Sequence, residues 1–296
     1  MRLRRLAVAA LLLPPIVPIA AGAEPPKGHL VLIGGGKRPA AVMSKFLELA
    51  GGPAARILVV PTASELPDTV ASYRKELAAL GATNVEGLDV RIPPDAHRES
   101  LVKEVEQAAG IFFAGGDQRR IVKALHDSPV GRAIEAAWRR GAVVGGTSAG
   151  TACMSPLMLT GEGDAKTITA KNVELWPGLG LFPGAILDQH FVARQRQNRL
   201  MSVVLEHPAY LGIGVDEATA VWLRPDATFE VLGEGSVVVY DAAAATVTRG
   251  PGEGSVLLGV RNLRTHVLLP GEVFDLSVRS VVPRETAPAA AAPRKD

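Results

Sequence analysis

A serine between two glycines is the residue of this chain best suited to nucleophilic chemistry. Ser148 lies in the segment Gly146–Gly150, which reads GTSAG and fits the pattern G-x-S-x-G. It joins an apolar strand-like run to a helical stretch, and a nucleophile on such a turn needs neighbours with little side chain. The Ala149 amide would then lie near a helix start, where free N–H groups favour a developing oxyanion. A purely structural glycine turn could have the same sequence. It is the combination of strand, turn and helix around the serine that favours a nucleophile.

A serine hydroxyl needs a general base, and the chain has six histidines from which to draw one. Five of them are more simply explained as surface or capping residues: His29, His97, His126, His207 and His266. His190 differs because it ends an apolar run within the polar sequence Asp188-Gln189-His190. Taken alone, these residues leave the role of His190 open.

Two further polar segments could bind a ligand. Gly115–Gln118 (GGDQ) follows the apolar run Ile111–Phe113 and opens a helix, so it lies at the carboxyl end of a strand, where ligands collect in α/β sheets. The alternative is a tight turn capped by Asp117. Arginines follow His190; if that segment is helical, His190 and Arg194 share one face and Arg196 and Arg199 share another. Arginine binds carboxylates with a bidentate fork, although a basic surface helix has the same composition. The three are Arg194, Arg196 and Arg199.

The elements that must position these residues alternate in the first half of the chain. The strand-like runs are 29–33, 57–60, 85–90, 111–113 and 142–144. The stretches with helical spacing are 39–50, 66–80, 97–108 and 117–140. This alternation is typical of a parallel sheet, and strands that are hydrophobic throughout indicate helices on both of its faces.

The second half has shorter runs that alternate and are punctuated by glycine, as antiparallel strands and hairpins are. These runs are 212–215, 220–223, 229–232 and 237–240. We therefore expect an α/β fold with a mostly parallel sheet, helices on both faces, and antiparallel strands in the C-terminal third.

Residues 1–23 predict a secretory signal peptide. Three arginines at positions 2, 4 and 5 precede an almost wholly apolar stretch, and Ala21–Ala23 supplies small residues for cleavage. The alternative is an uncleaved anchor, but prolines interrupt the stretch, which is shorter than the ~20 residues of a membrane span. We expect a mature chain that begins near Glu24 and has no membrane segment. Residues 24–283 would form a single α/β hydrolytic domain, followed by a disordered tail at 284–296.

Charge and motifs exclude several function classes. Three of the 32 basic residues lie in the predicted signal, so the rest nearly balance the 30 acidic ones and give no reason to expect nucleic-acid binding. Cys153 is the single cysteine, which excludes an intramolecular disulfide. Gly34–Gly36 lacks the spacing of a nucleotide-binding motif, and no H-E-x-x-H pattern occurs. We expect neither metal nor cofactor.

With four segments in the same order, the chain resembles the cyanophycinases. The resemblance runs from about Leu30 to Asp241 and includes Val231–Val237. Cyanophycinases are serine peptidases with the fold of class I glutamine amidotransferases and aspartyl dipeptidases. They cleave cyanophycin, a polyaspartate with arginine attached to each side-chain carboxyl, into β-aspartyl-arginine dipeptides. The four segments are GGDQ at 115–118, GTSAG at 146–150, DQHF at 188–191 with its three arginines, and GVDE at 214–217.

The resemblance implies roles for individual residues. Ser148 would be the nucleophile, His190 the general base and Glu217 the acid that orients the imidazole, although Glu217 by itself could equally be an exposed acid at a strand end. The amides of Gly116 and Ala149 would form the oxyanion hole. Substrate binding would involve Gln118, Asp117, Asp188, Gln189, Arg194, Arg196 and Arg199. The acids would suit substrate guanidinium groups, and the arginines the free α-carboxylate on each branch.

One feature departs from the resemblance. Many relatives carry acidic residues just after the first glycine turn, where this chain has Lys37 and Arg38. Two alternatives therefore stay open: an aspartyl or isoaspartyl dipeptidase on the same scaffold, and a non-catalytic exported protein that binds a polymer. A signal peptide and an insoluble polymer substrate favour a periplasmic or extracellular location. Similar proteins are often dimers, which favours a homodimer.

Overall fold

The fold is organised around a nine-stranded sheet whose central strands are buried on both faces. The computed structural model describes residues 24–252 and 254–283, so the predicted signal peptide and the predicted tail lie outside the described residues. Strand order across the large sheet is β17-β16-β11-β10-β1-β5-β4-β2-β3. The five strands from β1 to β3 in that order are parallel, and the other four extend the sheet antiparallel.

The helices and strands have the following bounds. The helices are α1 (Ala40–Leu49), α2 (Thr69–Ala79), α3 (Glu99–Glu106), α4 (Gln118–Leu125), α5 (Pro129–Arg140), α6 (Ala149–Ala152) and α7 (Gln197–Glu206), with a 3₁₀ turn at Pro93–His97. The first nine strands are β1 (Leu30–Ile33), β2 (Ile57–Val60), β3 (Val85–Gly87), β4 (Gly110–Phe113), β5 (Val143–Thr147), β6 (Leu157–Gly163), β7 (Val173–Pro177), β8 (Ala185–Gln189) and β9 (Leu211–Val215). The others are β10 (Thr219–Leu223), β11 (Thr228–Gly233), β12 (Val237–Asp241), β13 (Thr246–Arg249), β14 (Leu258–Arg261), β15 (Arg264–Leu268), β16 (Val273–Asp275) and β17 (Ser280–Val281).

Alternate residues of the central strands enter two different cores, because successive side chains of a strand point to opposite faces. Leu30 and Leu32 of β1 belong to a core shared with α3, α4 and α5. Val31 and Ile33 belong to a second core shared with α1 and α2. The uniformly apolar strands predicted from the sequence are thus covered on both sides, and the predicted α/β class is confirmed.

A second sheet has four strands in the order β15-β12-β9-β8. Strands β9, β12 and β15 pair antiparallel, as do β10 and β11 in the large sheet. The prediction of antiparallel strands in the C-terminal third therefore holds, with one addition: β9 also pairs in parallel with β8, the strand that leads to His190. Two hairpins, β6–β7 and β13–β14, complete the sheet structure of the described residues.

The predicted helical stretch 117–140 is two helices. Helix α4 ends at Leu125, and Asp127 adopts a left-handed conformation with φ 55°. Ser128 then caps α5 by accepting a hydrogen bond of 3.0 Å from the amide of Gly131, and Pro129 occupies the first helical position. A capping serine before a proline starts a new helix, which periodicity alone does not reveal.

No helix within residues 24–252 and 254–283 is both long and apolar enough to cross a membrane.

Candidate active site

Ser148 stands on a strained turn between β5 and α6. Its backbone has φ 52° and ψ −110°, an uncommon conformation that places the side chain at the end of the sheet. The two glycines of GTSAG permit this turn. A Cβ on Gly146 would lie 2.3 Å from the carbonyl oxygen of Gly150, and one on Gly150 would lie 2.4 Å from that of Phe113. The predicted strand–turn–helix context is therefore present, although α6 is only one turn long.

The hydroxyl of Ser148 is within hydrogen-bond distance of an imidazole. Ser148 Oγ lies 2.9 Å from His190 Nε2, across 42 positions of sequence. His190 follows directly after β8, and its own φ of 49° turns the chain out of the strand. The ring is 9% exposed, so little water competes for the serine proton. This arrangement is the one in which a histidine removes a proton from a serine.

The other ring nitrogen contacts a carboxylate. His190 Nδ1 lies 2.5 Å from Glu217 Oε1, and Glu217 is in the loop between β9 and β10. An acid at Nδ1 fixes the tautomer that leaves Nε2 free to accept a proton. Ser148, His190 and Glu217, for which the resemblance implies one triad, thus come from three separate segments and form a continuous chain of hydrogen bonds.

The first glycine turn supports this dyad of histidine and acid. Gly34 accepts a 2.6 Å hydrogen bond from the His190 amide, and the carbonyl of Gly35 accepts one of 3.0 Å from Ala218. A Cβ on Gly35 would lie 2.3–2.8 Å from three atoms of the His190 ring, and one on Gly36 would lie 2.9 Å from Glu217 Oε2. The sequence marks this triplet as a glycine turn without the spacing of a nucleotide-binding motif, and nothing in it indicates contact with His190 or Glu217.

Burial lowers the pKa of His190 below its ordinary value, and the charges of Arg194 and Arg196 act in the same direction. The hydrogen bond and charge of Glu217 oppose the shift without cancelling it. A lowered pKa leaves the imidazole neutral near pH 7, which is the form that can accept the serine proton.

A cavity of about 330 Å³ opens beside Ser148 and His190. Its walls come from the β1–α1 loop, the β2–α2 loop, α2 and the glycine turn after β4. Charged and phenolic groups of the walls are Arg38, Asp68 and Tyr73, none of which carried a sequence motif. The loop with Lys37 and Arg38, noted as a departure, therefore borders the site through Arg38.

The GGDQ segment lies beside Ser148 at the carboxyl end of β4, as expected. Gly115 lines the cavity, and Gly116, with φ 140°, packs against the carbonyl of Ala63. Asp117 caps α4 through the amide of Arg119 and also forms an ion pair with the Arg119 side chain. Gln118 is buried and donates to the carbonyl of Leu159 over 2.9 Å. Asp117 is thus the capping residue of the alternative interpretation, and its carboxylate also pairs with Arg119 in a partly exposed ion pair.

Asp188 and Arg199 face each other inside the protein. Arg199 Nε and Nη2 lie 2.7 and 2.5 Å from the two carboxylate oxygens of Asp188, and the side chains are only 3% and 1% exposed. Arg196 adds a longer contact of 3.5 Å. The sequence analysis assigns Asp188 and Arg199 to substrate binding, but neither lines the cavity, and each satisfies the other's charge.

The premise of a helix directly after Phe191 is wrong. Residues 191–195 form a turn, in which the Asp216 carboxylate accepts from the amides of Val192 and Ala193, and helix α7 begins only at Gln197. Arg194 is consequently exposed, whereas Arg196 donates to the carbonyl of Gln189 over 2.6 Å. The three arginines do not form two faces of one helix.

Gln189, one of the predicted substrate-binding residues, lies beside Ser148. Its Oε1 is 3.5 Å from Ser148 Oγ, and the side chain is buried. Among the described residues, no group of three or more His, Cys, Asp or Glu side chains is arranged to hold a metal ion.

Comparison with known proteins identifies the family. Residues 30–231 match the model of peptidase family S51, more than half of the 296-residue chain. The chain belongs to peptidase family S51. Among curated relatives of this S51 peptidase, the cyanophycinase of Nostoc sp. is 38% identical over 245 residues, or 82% of either chain. The cyanophycinase of Synechococcus elongatus is 34% identical over 261 residues, 86% of this chain and 81% of the relative.

A solved structure shares the fold of this S51 peptidase. It is a peptidase from an acI-B1 Actinobacterium, with a TM-score of 0.64 and 23% identity over 84% of this chain and 97% of that one. The resemblance inferred from four short segments is confirmed, and the protein is a serine-type peptidase. The roles of individual residues stay predictions.

Proposed function

We propose that this protein is an exported serine exopeptidase that hydrolyses cyanophycin to β-aspartyl-arginine dipeptides, with Ser148, His190 and Glu217 as its catalytic triad. The observation that carries the catalytic part is the hydrogen-bond chain from Ser148 Oγ through the imidazole to Glu217, at 2.9 and 2.5 Å. The substrate is inferred from the relatives, which are cyanophycinases at 34–38% identity over most of this chain.

The first half of the reaction forms an acyl-enzyme. Ser148 Oγ attacks the scissile carbonyl carbon while His190 Nε2 takes the hydroxyl proton, and Glu217 stabilises the imidazolium that results. The negative charge moves to the carbonyl oxygen, for which the amides of Gly116 and Ala149 are the proposed donors. When the C–N bond breaks, His190 returns the proton to the leaving amine.

Water completes the cycle. His190 removes a proton from a water molecule, which attacks the acyl carbon, and the proton then passes to Ser148 Oγ as the ester bond breaks. The lowered pKa of His190 suits both halves, because the imidazole must be neutral each time it acts as a base.

Substrate contacts in this proposal come from residues that remain accessible or adjacent to the nucleophile. Gln189 would contact the polymer near the scissile bond, and the exposed Arg194 would attract the α-carboxylates of its arginine branches. Gln118 and Arg196 are not carried forward, because Gln118 is buried and donates to Leu159, and Arg196 donates to the carbonyl of Gln189 and contacts Asp188. Asp188 and Arg199 are not carried forward as direct contacts, because their charges are satisfied inside the protein. Asp117 is not carried forward either, because its carboxylate caps α4 and pairs with Arg119.

The test is release of β-aspartyl-arginine from purified cyanophycin by the chain from Glu24 onward. Wild type should solubilise the polymer, Ser148→Ala should lose about 10⁶-fold in kcat, and Glu217→Gln should lose about 10⁴-fold because the tautomer is no longer held. A panel of isoaspartyl dipeptides runs in parallel. If only dipeptides are cut, the substrate proposal is wrong and the dipeptidase alternative holds; if polymer is bound but nothing is cut, the catalytic proposal fails.

A further inference from the structure

The cavity beside Ser148 contains one unpaired acid and one fixed guanidinium. Asp68 is at the start of α2, where its carboxylate makes no capping hydrogen bond and no ion pair with any described residue. It is the single acidic side chain among the described residues that line this cavity. An unpaired carboxylate beside a nucleophile is a binding group for a cation.

Arg38 is held in place on the same cavity. Its Nε and Nη2 contact the carboxylate of Glu76 at 2.9 and 2.5 Å, and its guanidinium lies 4.4 Å from the centre of the Tyr73 ring. Within the described part of the chain, Nη1 has no hydrogen-bond partner. A guanidinium fixed by a carboxylate and an aromatic ring loses little freedom when its remaining donor binds an anion.

The two charges are not paired with each other. Arg38 forms its ion pair with Glu76 and none with Asp68, although both line one cavity. The cavity is not lined by Arg194, Arg196 or Arg199. Its charged groups are therefore distinct from that arginine cluster. The cavity volume of about 330 Å³ is small for a ligand-binding pocket. It suits a single amino-acid branch.

We propose that this cavity is a subsite for one arginine branch, in which Asp68 binds the guanidinium and Arg38 binds the free α-carboxylate. This rests on the proposed function, since every aspartate beside the scissile bond of such a polymer carries a branch with both of these charges. A cationic side chain after the first glycine turn is then compatible with an arginine-bearing substrate, because it meets the carboxylate of the branch instead of its guanidinium.

The experiment uses a soluble oligomer of β-aspartyl-arginine units and two analogues. In one analogue citrulline replaces arginine, which removes the positive charge at nearly constant shape. In the other the α-carboxylate of each branch is capped as an amide. Initial rates for all three give kcat and KM for each variant.

Asp68→Asn should lower kcat/KM on the arginine oligomer by about tenfold or more, mainly through KM. On the citrulline oligomer Asp68→Asn and wild type should be equal. Glu65→Gln is the matched control, since Glu65 is on the same loop but does not line the cavity. An equal loss on both oligomers, or no loss on the arginine oligomer, would overturn the role of Asp68.

Arg38→Gln should lose a similar factor on the free-acid oligomer and nothing on the amide-capped one. Because Glu76 would lose its partner, the double variant Arg38→Gln/Glu76→Gln is measured as well, with thermal melts to show that it folds. Lys37→Gln is the control, exposed and outside the cavity wall. A loss that is the same with and without the carboxylate would show that Arg38 supports the wall without binding substrate.

The outcome is separable from that of the proposed function. If wild type cuts none of the oligomers, the proposed function fails, and binding of the arginine oligomer to Ser148→Ala, measured by calorimetry, still decides the subsite. Weaker binding in Ser148→Ala/Asp68→Asn than in Ser148→Ala/Glu65→Gln would support it, and equal binding would refute it.

Discussion

At the scale of single residues, the protonation of His190 decides when the proposed nucleophile can react. Burial is the largest cause of its lowered pKa, and the ring's 9% exposure shows why a charged imidazole is poorly hydrated there. Two cations, Arg194 and Arg196, disfavour the protonated form further, whereas Glu217 favours it. The balance leaves the base unprotonated through the neutral range.

On the acid side of the pH profile, the midpoint of kcat/KM should therefore lie below the ordinary histidine pKa of 6.5. Arg194→Gln removes a positive charge near the ring, so the pKa of His190 should rise and the midpoint should move to higher pH. Measured profiles of wild type and Arg194→Gln test this, with Arg249→Gln on the exposed hairpin strand β13 as the control. A midpoint that moves to lower pH, or that moves equally in the control, would contradict the assignment of His190 as the base.

At the scale of elements, the turn after β1 holds two loops that are distant in sequence. Its carbonyls accept from the amides of His190 and Ala218, and its α-carbons approach the imidazole and Glu217 too closely for any side chain. The triplet thus fixes the loops that follow β8 and β9 relative to each other.

Gly35→Ala should lower kcat by about 100-fold, because a methyl group at that position would displace the imidazole by a large fraction of an ångström or more. Gly51→Ala is the matched control: its φ of 103° is similar to the 117° of Gly35, but a Cβ there meets nothing within 4 Å. Both variants carry similar backbone strain, and only Gly35→Ala adds a contact with the imidazole. Circular dichroism should show that both are folded, while only Gly35→Ala loses activity. Equal kcat in the two variants would rule out the supporting role.

The ion pair of Asp188 and Arg199 joins β8 to α7, and we expect it to stabilise the folded protein. Arg199→Met leaves a buried carboxylate without its main partner, which should cost about 3–5 kcal/mol in the free energy of unfolding. Replacing both residues, as in Asp188→Leu/Arg199→Met, should cost less, since no charge is then stranded. Urea denaturation measures both values. A single variant as stable as wild type would show that the pair is not a buried structural element.

At the scale of the whole molecule, the proposal places the enzyme outside the cytoplasm. Expressed in a bacterial host with its full N-terminus, the protein should be recovered from the periplasm or medium with a first residue near Glu24. N-terminal sequencing of that fraction checks this, and replacement of Arg2, Arg4 and Arg5 by glutamate should retain the uncleaved chain in the cell. Recovery of intact Met1 in the cytoplasm of the unmodified strain would contradict export.

Much of the architecture follows from patterns within short segments. Apolar runs such as Ile57–Val60 predict strands buried on both faces, and Gly146–Gly150 predicts a strained turn, because both depend on residues close in sequence. Helix boundaries are harder to predict from the sequence. The break between α4 and α5 depends on one capping serine and on the left-handed conformation of Asp127.

The sequence by itself determined the nucleophile motif, the α/β class and the family, since these are carried by local periodicity and by four ordered segments. Only the tertiary structure decided which polar residues meet. Asp188 and His190 are two positions apart, yet one is paired in the interior and the other contacts Ser148, because the chain turns out of β8 at His190. No sequence pattern brings Arg38, Asp68 and Tyr73 to one cavity wall either, since loops after different parallel strands converge only when the sheet is assembled.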